Sequence, residues 1–125
     1  MQKIFLVGIG GFLGSVFRYL LSGFVQKASN IVSFPVGTLS VNLIGCLVIG
    51  LLAGLSESRQ LFGENARLFI FIGLLGGFTT FSTFGYEVFS FMRDGEFVSS
   101  FLNIFLHLFF SIILVWLGFS LAKLI

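Results

Sequence analysis

The chain has 125 residues, of which 57% are hydrophobic and only 10% charged, with a formal net charge of +2. A water-soluble domain carries about a quarter of its residues as charge to cover its surface, so this composition excludes one and predicts an integral membrane protein. The seven basic residues are scattered rather than clustered, which argues against a nucleic-acid partner.

A spanning helix takes roughly 20 mostly apolar residues, so the length predicts about four spans with little left for loops. The first apolar segment runs over 4–25. Lys3 ahead of it invites comparison with a secretory signal, but Arg18 interrupts the apolar run and no small-x-small cleavage pattern follows. The second runs over 36–55, with Pro35 placed to suit the first helical turn. The third runs over 68–92 and the fourth over 97–121. The connections 26–33, 56–67 and 93–96 are short and polar, so successive helices are expected to be antiparallel neighbours. Glycines four residues apart at Gly10 and Gly14, Gly50 and Gly54, and Gly73 and Gly77 favour close helix packing. The single cysteine, Cys46, has no partner for an internal disulfide and reads as a small packing residue.

With the loops assigned alternately, one side holds Lys3, Arg59, Arg67 and Lys123, and the other holds Lys27 and Arg93, with Arg18 between them. So small an excess is a weak instruction under the positive-inside rule. Two readings stand on charge alone: one orientation set by that excess, or insertion both ways up. The second permits an antiparallel homodimer with its two-fold axis in the membrane plane.

The run 73–85 (GLLGGFTTFSTFG) interrupts the third apolar segment. It mixes glycines with four hydroxyl side chains, Thr79, Thr80, Ser82 and Thr83, and with three phenylalanines. Glycine permits close backbone approach or departure from helical geometry, and hydroxyls in hydrocarbon need partners or a wet path. The run predicts a third helix broken inside the bilayer, where something polar binds. Phe81 and Phe84 are three apart and share a face. Either they pack against lipid and core, or their positive ring edges meet a small anion without the full charge of Lys or Arg.

In the second segment, Thr38 and Asn42 share a helical face with Gly45. An amide buried there joins helices by a hydrogen bond or borders a pathway. In the fourth, Asn103, His107 and Ser111 recur every four residues, as a structural stripe or a wet track. Arg18 and Glu87 lie near segment ends, where each snorkels to the interface or, for Arg18, draws anions into a vestibule. No carboxylate occupies the centre of a segment, unlike a proton-coupled cation exporter. No His/Cys/Asp/Glu set has metal-ligand spacing and no nucleophile–base pair is visible, so an enzyme is not expected.

Three runs together resemble the Fluc/CrcB family of fluoride channels: 11–19 (GFLGSVFRY), 37–45 (GTLSVNLIG) and 76–84 (GGFTTFSTF). The resemblance extends over essentially the whole chain. It implies an all-α membrane protein of four transmembrane helices, the third broken in mid-membrane, assembled as an antiparallel dual-topology homodimer. The implied function is passive export of fluoride across the cell membrane through two pores, each built from both subunits. By motif position the fluoride path would include Asn42, Phe81, Phe84, Ser82 and Thr83, with Thr38 and Ser111 alongside and Arg18 at an aqueous vestibule. A structural sodium ion at the dimer centre would be held by the backbone carbonyls of Gly76 and Thr79. No fixed motif covers Asn103 or His107.

Overall fold

The computed structural model describes all 125 residues, and every regular element in it is helical. Four stretches are long and apolar enough to cross a membrane: Gln2–Ser29, Val36–Arg59, Glu64–Arg93 and Phe97–Ala122. The first, second and fourth are the uninterrupted helices α1 (Gln2–Ser29), α2 (Val36–Arg59) and α6 (Phe97–Ala122). The third span is composite. It comprises α3 (Glu64–Arg67), a π-helical segment (Leu68–Leu75), α4 (Gly76–Phe78) and α5 (Phe81–Arg93).

Both α1 and α2 run about four residues past the ends of their apolar stretches. The extension keeps backbone groups paired inside the helix until the chain reaches a polar region. α1 stops at Asn30 (φ 55°) and α2 at Gln60 (φ 51°), each in the left-handed conformation and each donating its N–H back into the last turn. The third span likewise starts earlier than its apolar run, because Gly63 and Glu64 open a polar first turn. The tight turn between α5 and α6 uses Gly95 at φ 79°, a conformation glycine adopts without a Cβ penalty.

The α1–α2 connection is fastened by one side chain. Gln26 Oε1 accepts the Gly37 N–H at 2.9 Å, and Gln26 Nε2 donates to the Phe34 carbonyl at 3.1 Å and to the Ile31 carbonyl. The amide thereby satisfies an N–H at the start of α2 that has no intrahelical partner. At the opposite end of the bundle, Lys3 pairs with Glu64, Arg59 donates to the Ile125 carbonyl, and Arg67 donates to Ser56 Oγ at 2.7 Å. Those contacts gather the start of α1, the end of α2, the start of the third span and the end of α6 on one side. Successive spans therefore alternate in direction.

Packing divides the bundle into two pairs. α2 lies along α6, and α1 lies against the π-helical segment and α4. Both seams are made by glycines. A Cβ on Gly118 would collide with the Leu47 carbonyl and stand 2.7 Å from the Leu51 nitrogen, and one on Gly50 would collide with the Val115 carbonyl. On the other seam, a Cβ on Gly77 would stand 2.5 Å from the Gly11 carbonyl oxygen, and Gly10 and Gly73 touch backbone to backbone. Close approach of this kind replaces the hydrophobic driving force that lipid does not supply between helices. The buried apolar set is accordingly small: Val41, Leu75, Phe84 and Ala122. Most Phe and Ile side chains are exposed, as a lipid-solvated bundle requires.

Gly118→Ala is expected to lower stability by about 1–3 kcal/mol through overpacking of the α2–α6 seam. Gly23→Ala, where an added Cβ meets nothing within 4 Å, is expected to be neutral. Thermal unfolding of both variants in detergent, followed by size-exclusion chromatography, checks the contrast.

Candidate functional site

The third span leaves helical geometry at Thr79 (φ −86°, ψ 160°) and Thr80 (φ −150°, ψ 115°), between α4 and α5. Two extended residues inside an apolar span expose backbone groups that hydrocarbon cannot satisfy. The bundle supplies partners for them. Asn42 on α2 accepts the Thr80 N–H at Oδ1 (2.8 Å) and donates from Nδ2 to the Thr80 carbonyl (3.0 Å). Arg18 on α1 donates from Nη1 to the Thr79 carbonyl (3.1 Å). The Thr80 hydroxyl accepts the Thr83 N–H and so caps α5. Because the Thr80 N–H points at Asn42, it does not reach the Gly76 carbonyl, its partner in an unbroken α-helix.

Hollows lie on two sides of this break. The larger, of about 410 Å³, is bounded by α2, the third span and α6; its lining includes Asn42, Phe81, Phe84, His107 and Ser111. The Phe81 and Phe84 rings are tilted 54° to one another with centroids 5.5 Å apart. Phe84 is 7% exposed, whereas Phe81 is 78% exposed in the single chain. His107 on α6 stacks over Phe84 at 4.4 Å. The smaller hollow, of about 240 Å³, is lined by Arg18, Thr38 and Thr83 together with Ser15, Tyr19 and Ser22. Thr80 borders both spaces, and the Asn42-held break is the partition between them.

The residues singled out from sequence thus divide between the two sides. Asn42, Phe81, Phe84 and Ser111 border the larger hollow with Gly76 and Thr79, and Arg18, Thr38 and Thr83 border the smaller. Ser82 lines neither; it is exposed, with its hydroxyl 3.5 Å from that of Thr80. One further contact joins residues that pattern alone left apart. The Thr38 hydroxyl donates to Glu87 on α5, so this carboxylate turns inward instead of snorkelling. On α6, Asn103 and His107 are both buried. The four-residue stripe of Asn103, His107 and Ser111 signalled the inward face, but nothing in the sequence paired Thr38 with Glu87 across 49 residues.

Along the hollows stand hydroxyl groups, ring edges and the His107 imidazole, with one guanidinium held at the break. The arrangement offers no set of three or more His, Cys, Asp or Glu side chains.

Residues 5–119 match the family described as CrcB-like protein, Camphor Resistance (CrcB). The chain is 48% identical over 118 residues to fluoride-specific ion channel FluC 1 of Methanosarcina acetivorans, covering 94% of this chain and 88% of that protein. It is 43% identical to the fluoride-specific ion channel FluC of Methylobacillus flagellatus, over 98% of this chain and 96% of the relative. Identity to the fluoride-specific ion channel FluC of Pyrococcus furiosus is 45%, over 98% of both chains. With four membrane-competent helices and a match over nearly its whole length, this multi-pass membrane protein belongs to the CrcB-like family.

Proposed function

We propose that the protein is a passive fluoride-selective channel that lets fluoride leave the cell and so relieves its toxicity. The observation that carries this reading is the Asn42-held break beside Phe81 and Phe84, in a chain whose relatives are named fluoride-specific channels. Fluoride enters only where something replaces its tightly held water at short range. The Thr and Ser hydroxyls around the break donate hydrogen bonds, and the Phe81 and Phe84 edges present partial positive charge. Neither holds the ion with the grip of a full cation, so it moves on. No bond is made or broken in the process, and no catalytic residue is required.

The working unit in this reading is an antiparallel homodimer with two pores, each built from both copies. Phe81 is 78% exposed in one chain beside a polar break, a combination that a second copy would cover. The small difference in basic residues between the two ends is compatible with insertion both ways up. The third-span break then lies at mid-membrane, at the centre of the pair, with lipid around the outer faces.

A structural sodium ion fits this centre in part. The Gly76 carbonyl lacks its helical donor, because the Thr80 N–H is engaged by Asn42, and unwound carbonyls are the usual membrane ligands for sodium. The Thr79 carbonyl receives only Arg18 and keeps a second lone pair. Gly76 and Thr79 of one chain supply two oxygens, so a second copy completes the set. The bound ion would supply positive charge that ties the two breaks together.

Purified protein in liposomes is expected to release fluoride under a membrane potential without proton coupling. Release of organic cations, or of nothing, would overturn the reading. Phe81→Ile and Asn42→Asp are each expected to cut fluoride flux by about tenfold or more while the protein still purifies as a dimer. In cells, a C-terminal tag is expected to be reachable from both sides of the membrane. Accessibility from one side alone would remove the antiparallel pair. Replacing sodium by N-methylglucamine throughout purification is expected to lower the temperature at which the dimer dissociates.

A further inference from the structure

Four buried side-chain atoms have no hydrogen-bond partner: Glu87 Oε2, Asn103 Nδ2, Asn103 Oδ1 and His107 Nε2. All belong to the α5–α6 side of the bundle, and Asn103 and His107 are one turn apart on α6, 0% and 5% exposed. An orphaned buried polar atom is costly; the Asn103 amide is directed at the Glu87 carboxylate, which leaves His107 Nε2 as the atom that calls for an occupant. His107 also lines the larger hollow with Phe81, Phe84 and Ser111, so its ring stands where the proposed ion path meets α6.

The hydrogen-bond arithmetic is specific. His107 Nδ1 lies 3.1 Å from the Asn103 carbonyl oxygen, which can only accept, so Nδ1 carries a proton. In neutral imidazole Nε2 is then a lone pair. The Asn103 amide is directed at Glu87, so what His107 itself presents at Nε2 is an acceptor. Fluoride only accepts hydrogen bonds, so this face opposes a bare fluoride ion unless it gains a proton. His107 has a counterpart for the charge that a proton brings. Its ring stacks on Phe84 with centroids 4.4 Å apart and an angle of 37°, and an aromatic face within about 6 Å stabilises a cation.

We propose that His107 contacts the permeating fluoride as a proton-dependent donor: a proton taken up at Nε2 from the adjoining water converts the imidazole from an acceptor into a hydrogen-bond donor to the ion. This rests on the channel reading above. The proton remains on Nε2 while fluoride passes and returns to water when the station empties, so no proton crosses with the ion. The groups facing this face of α6 are few. α5 presents Glu87, whose other oxygen is held by Thr38. α2 presents the neutral Asn42 and the Cys46 thiol. The break presents the Thr79 and Thr80 hydroxyls, with Arg18 committed to the Thr79 carbonyl. α6 itself adds Asn103 and Ser111 and no other titratable group. Glu87 is the one carboxylate in reach, and it separates from His107 by substitution.

The test is fluoride efflux from proteoliposomes between about pH 8.5 and about pH 5.5, with efflux from protein-free liposomes subtracted. Wild-type flux is expected to rise by about fivefold or more as the pH falls. His107→Ser, a neutral donor at all these values, is expected to give a flat profile, and Glu87→Gln to keep the rise. His107 is the only histidine in the chain, so ¹⁵N-histidine labelling reads its ring alone. Added sodium fluoride near neutral pH is expected to move Nε2 from the unprotonated to the protonated shift, with sodium chloride leaving it in place. Wild-type flux that is present but flat with pH, a rise that persists in His107→Ser, a rise lost in Glu87→Gln, or a ring signal indifferent to fluoride each overturns the inference. Absence of fluoride flux at every pH would instead overturn the channel reading.

Discussion

The double hydrogen bond between the Asn42 side chain and the Thr80 backbone is the constraint on which the centre of this molecule depends. A chain cannot leave helical geometry in hydrocarbon without a substitute for each lost backbone partner. Asn42 supplies a donor and an acceptor to one residue from two separate atoms, Nδ2 and Oδ1, so it spans the N–H and the carbonyl of Thr80 together, which the single oxygen of a hydroxyl is poorly shaped to do. Once Thr80 is held this way, the hydroxyl of that residue is free to cap α5, and Phe81 and Phe84 begin a new helix with its own direction. The Gly76 carbonyl loses its partner in the same stroke. The ring pair, the cap and the freed carbonyl are therefore consequences of one amide on another helix.

Glycine has a different role in the rest of the bundle. At the seams between α2 and α6 and between α1 and the third span it removes a side chain where two backbones touch, and this draws the spans together in lipid. Because the helices are close, side chains of α1 and α2 reach the break: Arg18 reaches the Thr79 carbonyl, and Asn42 reaches the Thr80 backbone. The seams and the polar centre are thus linked. Without the first, the second would be out of hydrogen-bond range.

Much of this was legible in the residues. Apolar run lengths marked four spans; the ends of the first two and the start of the third fell short by about four residues, because helices continue beyond the hydrocarbon-compatible stretch to keep their backbone paired, while the fourth agreed to within a residue. The composition of 73–85 marked the place where the third span changes geometry, since glycines, hydroxyls and phenylalanines answer different needs from those of a plain lipid-facing helix. The Asn103, His107 and Ser111 stripe marked the inward face of α6. Three features were not legible. The π-helical segment over Leu68–Leu75 has an unbroken apolar sequence in which a wider turn leaves no signature. The inward turn of Glu87 depends on Thr38, which is distant in the chain. The Gln26 fastening of the first connection likewise depends on how a loop folds back, which periodicity does not describe.

The glycine seam between α2 and α6 has a mechanical consequence for anything that moves past Phe84. Backbone packed on backbone along Gly50 and Gly118 makes those two spans a single stiff slab, whereas α5 hangs from α4 by only two residues. An ion travelling between α5 and α6 would have an immobile wall on one flank and a hinged panel on the other. Were the passage to breathe, the two-residue link would let the panel bearing Phe81 and Phe84 yield before the glycine-locked slab, against the restraint of its bonds to Thr38 and Ser100.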